Sequence, residues 1–217
     1  MIRIVMADDH AIVREGLKRI VESVTDFQVV GEAGDGAEVL RLVRETDFDL
    51  LVLDLSMPGR SGMELIKLVK AEKPRLRILV LSMHQESQYA VRAIKSGASG
   101  YLTKESAPGQ LEQALRKIAA GGAWISPEVA QQLALGAMPG GGGETPPHES
   151  LSTREFEVFR QLLAGQSVTE IAQRLSLSVK TVSSHKSNLM HKLGVHSPAE
   201  LVRYAMRHGL EEEGDGP

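Results

Sequence analysis

The chain has 217 residues, a formal net charge of −3, 42% apolar and 24% charged residues, and no cysteine. That composition fits a globular protein of one large or two small domains. The missing thiols exclude disulfides, thiolate metal sites and a cysteine nucleophile, and they fit a reducing cytoplasm. No apolar run approaches the roughly 20 residues of a bilayer span, so no membrane partner is expected. The opening MIRIVMADDH reads as an apolar strand rather than a signal peptide.

Charge is unevenly divided. Residues 1–149 carry 17 Lys and Arg against 20 acids, whereas residues 150–210 carry 8 against 4. The tail of Glu211, Glu212, Glu213 and Asp215 is acidic. An acidic front and a modestly basic back suggest that only the back meets a polyanion.

In chain order, apolar runs rich in β-branched residues occur at Ile2–Ala7, Phe27–Ala33, Leu50–Asp54, Ile78–Ser82 and Gly100–Thr103. Between them lie segments with helical spacing, carried by Ile12/Leu17/Ile20/Val21/Val24, Val39/Leu40/Val43, Met63/Leu65/Ile66/Leu68/Val69, Val91/Ile94 and Leu111/Leu115/Ile118. Strands alternating with helices predict an α/β domain: a doubly wound, five-stranded parallel sheet with both faces covered. One more helix is expected near 126–135, followed by a linker over Gly136–Glu149, whose four consecutive glycines and three prolines sustain neither helix nor strand. Beyond it the pattern is helical. Ser152 and Glu155 form a capping-box start for a helix to about Ala164, ended by Gly165. Helices follow at about Val168–Leu175, Val179–Leu193 and Pro198–His208, making a second, smaller all-α domain. The expected divisions are 1–121, a connecting helix and linker over 122–149, 150–210 and an acidic tail over 211–217.

Asp8 and Asp9 follow the first strand and Asp54 ends the third. In open parallel sheets, ligands bind beyond the carboxyl ends of the strands, so these acids should converge. Like charges in one crevice repel unless a cation neutralises them, and oxygen-only donors suit Mg2+. Acids also end strands at a solvent edge with no ligand. Ser82 and Lys104, at the ends of the fourth and fifth strands, add a hydroxyl and an ammonium to the same edge. A phosphoryl group needs this set around its oxygens. Taken singly, each of these two is an ordinary surface or turn residue. An aspartyl-nucleophile phosphatase is the enzymatic alternative, but such enzymes place a second carboxylate two residues on, where this chain has Ser56. Gly31-Glu-Ala-Gly34-Asp-Gly36 has the wrong glycine order for a dinucleotide fingerprint.

Asp8-Asp9, the stretch from Leu51 to Gly62 centred on Asp54, Ser82 and Tyr101-Leu-Thr-Lys104 together resemble the receiver domain of two-component response regulators. That resemblance implies a flavodoxin-like receiver with Asp54 as phospho-acceptor from a sensor histidine kinase. It also implies Mg2+ at Asp9, Asp54 and the Ser56 carbonyl with Asp8 acting through water, phosphoryl contacts from Ser82 and Lys104, and Tyr101 as the switch aromatic. Glu105 stands where many receivers have a proline.

On a helical wheel, Val182, Leu189 and Leu193 form an inward face. Lys180, Ser183, Ser184, Ser187 and His191 lie outward, where short polar groups suit a major groove, and Thr181, Asn188 and Lys192 lie on a flank that could touch phosphates. An amphipathic helix with a wet face has the same pattern. Leu151-Ser-Thr-Arg-Glu155, Ile171-Ala172, Ser178-x-x-Thr181-Val182-x-x-His185 and Lys192-Leu-Gly-Val195 resemble a LuxR-type helix-turn-helix. Receiver plus this module is similar to the NarL/FixJ class of DNA-binding transcription regulators. The resemblance implies Val179–Leu193 as recognition helix and a dimer contact through Leu201, Ala205 and His208. The implied partners are double-stranded DNA, the kinase, RNA polymerase and a second copy of the chain, paired on phosphorylation or on DNA. No metabolic substrate is expected. A regulator whose receiver binds a ligand without phosphorylation remains the other non-enzymatic alternative.

Overall fold

The computed structural model describes residues 1–57, 62–83, 87–136, 146–175 and 177–210. Of the sequence expectations, Pro58–Ser61, most of the linker and the acidic tail lie outside these residues. The chain divides into two compact units, Met1–Gly143 and Glu144–Pro217.

The first unit runs β1 (Ile2–Ala7), α1 (Ala11–Glu22), β2 (Phe27–Ala33), α2 (Gly36–Glu45), β3 (Leu50–Asp54), α3 (Gly62–Glu72), β4 (Arg77–Ser82), α4 (Ser87–Lys95), β5 (Gly100–Thr103), α5 (Ala107–Ala119) and α6 (Pro127–Gly136). All pairings are parallel, in the order β2-β1-β3-β4-β5. A parallel sheet covered on both sides needs apolar residues on both pleats, and all five residues of β3 are buried. Ile4, Met6, Leu50, Val52, Leu79 and Leu81 point to one side, packed with Leu17 and Val21 of α1 and Leu111, Leu115 and Ile118 of α5. The opposite pleat, with Val5, Leu51, Leu53, Ile78 and Val80, is equally buried. It faces α2, α3 and α4, which adjoin one another. Each buried Leu, Ile or Val contributes roughly 1.5–3 kcal/mol relative to exposure.

Three expectations change. Ile12, counted in the apolar stripe of α1, is 90% exposed at the rim. Helix α4 buries Tyr89, Ala90 and Ala93, while Val91 and Ile94 are half-buried; one large aromatic beside small residues lets that helix sit close to its neighbours. The first unit also continues past residue 121. Trp124 forms a parallel bridge with Gly100, accepting from the Tyr101 N–H at 2.9 Å and donating to the Ser99 carbonyl at 3.2 Å. Val129 of α6 is buried, and α6 adjoins α4.

The second unit contains a 3-10 turn at Pro147–Ser150, then α7 (Thr153–Leu163), α8 (Val168–Arg174), α9 (Val179–Leu193) and α10 (Pro198–Arg207). A serine caps each helix: Ser152, Ser167, Ser178 and Ser197 accept from backbone N–H groups one turn in. Such caps are worth about 1 kcal/mol each. The reciprocal capping box expected at Ser152–Glu155 is present, and Ser167–Glu170 forms a second. Phe156, Phe159, Ile171, Val182, Leu189 and Leu201 make the core. Residues 147–149, read from sequence as linker, fold onto this unit: the His148 N–H donates to the Tyr204 hydroxyl at 3.1 Å, and His148 Nδ1 lies 3.0 Å from it.

Gly100 has no room for a side chain. A Cβ there would lie 2.7 Å from Ile118 Cδ1 and 3.0 Å from both Cβ and the carbonyl oxygen of Trp124. Gly100→Ala should therefore cost about 1–3 kcal/mol, read as a lowered urea midpoint for the first unit with the second unit's transition unmoved. Unchanged stability would mean that the Trp124 segment does not dock as described.

Candidate functional site

The parallel order places the carboxyl ends of β1, β3, β4 and β5 side by side, and the expected residues meet there. Asp8, Asp54 and Ser82 are buried. Lys104 Nζ lies 2.7 Å from Asp8 Oδ2 and donates to Asp54 Oδ2 at 2.9 Å. The other Asp54 oxygen, Oδ1, accepts from the Ser56 N–H at 2.9 Å. Lys104 is itself fixed by its main chain, whose N–H donates to the Ser82 carbonyl at 2.8 Å. Asp9 joins the same edge, half-exposed beside Asp8.

Burial pushes the Asp54 carboxyl up from its ordinary range; Lys104 and the Ser56 N–H pull it back only in part, and the Asp8 charge adds to the rise. Burial alone would lower Lys104, but Asp54 and Asp8 outweigh it and hold the ammonium above its usual value. Two buried carboxylates therefore share one lysine.

The donor set fits a divalent cation. Asp8 Oδ2 is buried and accepts no aligned hydrogen bond among the described residues, its contact with Lys104 being an ion pair. Ligating atoms of Asp8, Asp9, His10 and Asp54 lie within 4.8 Å of one another. His10 is the member that the sequence reading passed over. Its position directly after the acid pair was the available signal.

Tyr101 is buried and borders an open cavity of about 450 Å³ whose other walls include Trp124, Val129, Ser106 and Gln110. No peptide bond among the described residues is cis, the Lys104–Glu105 bond included.

On α9, Val182, Leu189 and Leu193 are buried, as the wheel predicted. Lys180, Ser183, Ser184, Ser187, Asn188 and His191 are exposed, and Thr181 is half-buried with its hydroxyl 2.7 Å from Ser178 Oγ. Ser184 Oγ donates to the Lys180 carbonyl at 3.0 Å. Lys192 departs from expectation. Its Nζ donates to Glu155 Oε2 at 2.6 Å and to the Ser150 carbonyl at 3.4 Å, so it braces α9 against the start of α7. Glu155 is held below its ordinary range because Lys192 and the Ser152 N–H overcome the effect of burial.

The dimer face also needs correction. Leu201 and Ala205 are buried in the second unit's own core. His208 is exposed but stacks on Tyr204, with ring centroids 4.4 Å apart. The apolar residues that α10 offers outward are Val202 and Met206.

Comparison with known proteins agrees with this architecture. Residues 4–116 match the response regulator receiver domain, and residues 149–205 match the bacterial regulatory proteins of the luxR family. Response regulator UvrY of Escherichia coli K12 is 36% identical over 97% of this chain and 96% of its own. Response regulator GacA of Pseudomonas aeruginosa is 35% identical over 97% and 98%. Among solved structures, RcsB of Salmonella enterica serovar Typhimurium, bound to a promoter in the presence of phosphomimetic BeF3−, superposes with a TM-score of 0.60 at 33% identity, covering 94% of this chain and 97% of that one. Two matched modules, with relatives aligned over nearly the whole length, make this chain a member of the two-component response regulators of the NarL/FixJ class, DNA-binding proteins whose receiver phosphorylation controls transcription.

Proposed function

We propose that Asp54 accepts the phosphoryl group from a phosphohistidine of a sensor kinase and that the resulting acyl phosphate drives pairing of two chains on DNA. The observation that carries this reading is the burial of Asp54 between Lys104 and the Ser56 N–H, on the sheet edge shared with Asp8, Asp9 and Ser82. One Asp54 oxygen attacks phosphorus, the P–N bond breaks, and the departing imidazole keeps the electron pair and takes up a proton. Asp9, Asp54 and the Ser56 carbonyl would hold Mg2+, with Asp8 engaged through water; the ion supplies positive charge to the transferring oxygens. Lys104 and the Ser82 hydroxyl donate to those oxygens. Once Ser82 turns toward the phosphoryl group, Tyr101 moves from its cavity into the vacated space, altering the surface around α4 and β5.

In the second unit, Lys180, Thr181, Ser183, Ser184, Ser187, Asn188 and His191 form the DNA-reading face. A chain pair would read two half-sites at once, raising affinity through effective concentration. Pairing through α10 would use Val202 and Met206. Cytoplasmic residence fits this role, and among the described residues no helix is long and apolar enough to cross a membrane. RNA polymerase is the further partner expected of a transcription regulator.

With Mg2+ and acetyl phosphate, the protein should gain one base-labile acyl phosphate, seen as an added phosphate mass, and Asp54→Asn should gain none. Undiminished labelling of Asp54→Asn would reassign the site.

The raised Asp54 carboxyl also has a thermodynamic signature. A carboxyl whose folded value exceeds its unfolded one contributes stability below the unfolded value and loses it as pH rises through the folded value. Ionised Asp54 therefore strains the apo fold at neutral pH. Without divalent ions at pH 7, Asp54→Asn should raise Tm by roughly 2–4 °C for each kcal/mol relieved. The gain should vanish in acid, where Asp54 is protonated. A lower Tm for the variant at pH 7 would show that the Lys104 pair outweighs burial.

The fragment Glu144–Pro217 should fold alone and bind DNA with an affinity that falls steeply with salt. Ser184→Ala or Ser187→Ala should cost about 1–3 kcal/mol on the preferred sequence and little on others. In the full chain, phosphodonor should tighten operator binding and shift mass toward a dimer, and Val202→Asp should block both. Equal affinity and mass with and without phosphodonor would refute the coupling.

A further inference from the structure

Val179 is the first residue of α9, and the DNA-reading face described above leaves it unused. It is 48% exposed, and outside α10 it is the one large apolar side chain that the second unit exposes among its described residues. Helix initiation does not account for it. The cap is Ser178, whose Oγ accepts from the Thr181 N–H at 3.0 Å and lies 2.7 Å from the Thr181 hydroxyl, and a β-branched residue is a weaker helix former than an unbranched one. Packing does not account for it either, since the buried face of α9 is Val182, Leu189 and Leu193.

Val179 stands beside Lys180 and one turn before Ser183, both exposed. Helical side chains lean toward the helix N-terminus, so the Val179 methyl groups reach ahead of the first turn, the part of a recognition helix that meets base edges. The polar groups around it discriminate weakly between bases. Serine hydroxyls serve donors and acceptors alike, and Ser184 Oγ is already bonded to the Lys180 carbonyl at 3.0 Å. The acids of this unit are engaged elsewhere: Glu155 and Glu170 in capping boxes, Glu157 with Arg154, and Glu200 on the His196 N–H. No carboxylate on α9 therefore reads a cytosine amino group. An apolar tip has one complement among the groups that the four bases show in the major groove, the C5 methyl of thymine.

We propose that Val179 specifies a thymine in each half-site by packing its methyl groups against the C5 methyl of the base that faces the start of α9. The inference rests on reading α9 as the recognition helix. Two apolar surfaces leave water together in this contact, which favours thymine. A cytosine at the same place turns its amino group toward the valine, where that donor finds no acceptor and loses water. Val179 thus adds a base-discriminating contact beside hydroxyls that accept either partner, and its exposure in the unbound unit is that of a residue covered only on DNA.

The test uses the full chain, which first selects its preferred duplex from a random library. Each thymine of that duplex is then replaced singly by deoxyuridine, which lacks only the methyl group. At one thymine per half-site the replacement should weaken wild-type binding about fourfold, the effect of one methyl group returned to water. At that position 5-methylcytosine, which restores the methyl, should bind the wild type more tightly than cytosine does. Val179→Ala, a change at an exposed site, should bind the thymine and deoxyuridine duplexes equally. Wild-type indifference to deoxyuridine at every thymine overturns the proposal, and so does a Val179→Ala variant that stays as sensitive as the wild type. Ser184→Ala and Ser187→Ala, put through the same selection, separate this failure from that of the underlying reading. If they change the selected sequence while Val179→Ala does not, the recognition helix stands and only the role of Val179 is lost. If none of the three changes it, the recognition helix is misassigned and this inference goes with it.

Discussion

One buried ammonium facing two buried carboxylates sets the terms for the first unit. Lys104 Nζ lies within 3 Å of both Asp8 and Asp54, and charges taken out of water are costly unless closely paired. Burial drives Asp54 upward, and because two acids share one lysine, pairing offsets that rise only in part. The pocket is under-neutralised by construction, and an added cation relieves it. No local sequence signal brings these residues together, since Asp8 and Lys104 are nearly a hundred positions apart. The strand order does so: β1 lies beside β3, β3 beside β4, and β4 beside β5.

The second unit is organised by hydrogen bonds at helix starts. Four serine caps define where each helix begins, and one of them does more. The Ser152–Glu155 box places the Glu155 carboxylate where Lys192, near the end of α9, can reach it. A local capping device thereby fixes the long helix whose outward face is polar. Arginine is missing from that face, so recognition would rest on hydroxyl, amide, ammonium and imidazole contacts together with DNA shape.

The sheet was readable because buried parallel strands are continuous apolar runs. Four of the five strand boundaries coincide with those runs, and β4 begins one residue earlier, at Arg77. The helix α9 and its buried face followed from periodicity. The failures share one physical origin, since a helical wheel gives a direction but not what lies there. Ile12 occupies the apolar stripe of α1 in its first turn, yet it is exposed there. Leu201 and Ala205 form an apolar face that could equally meet a partner or the domain's own core, and the core holds them. Lys192 looked free because its acceptor, Glu155, is 37 residues away. His10 escaped notice because one imidazole next to two acids carries no periodic signature.

The bridge between Trp124 and Gly100 has a consequence for how this protein can meet others. An edge strand with unpaired N–H and carbonyl groups is a template on which a foreign strand can add. On the β5 flank, Trp124 already occupies the Tyr101 N–H and the Ser99 carbonyl, so those groups are closed to an incoming backbone. Recognition beside Tyr101 is thereby restricted to side-chain chemistry, which a ring movement can alter and which does not propagate from copy to copy as strand stacking does. A signalling surface is kept from acting as an aggregation seed.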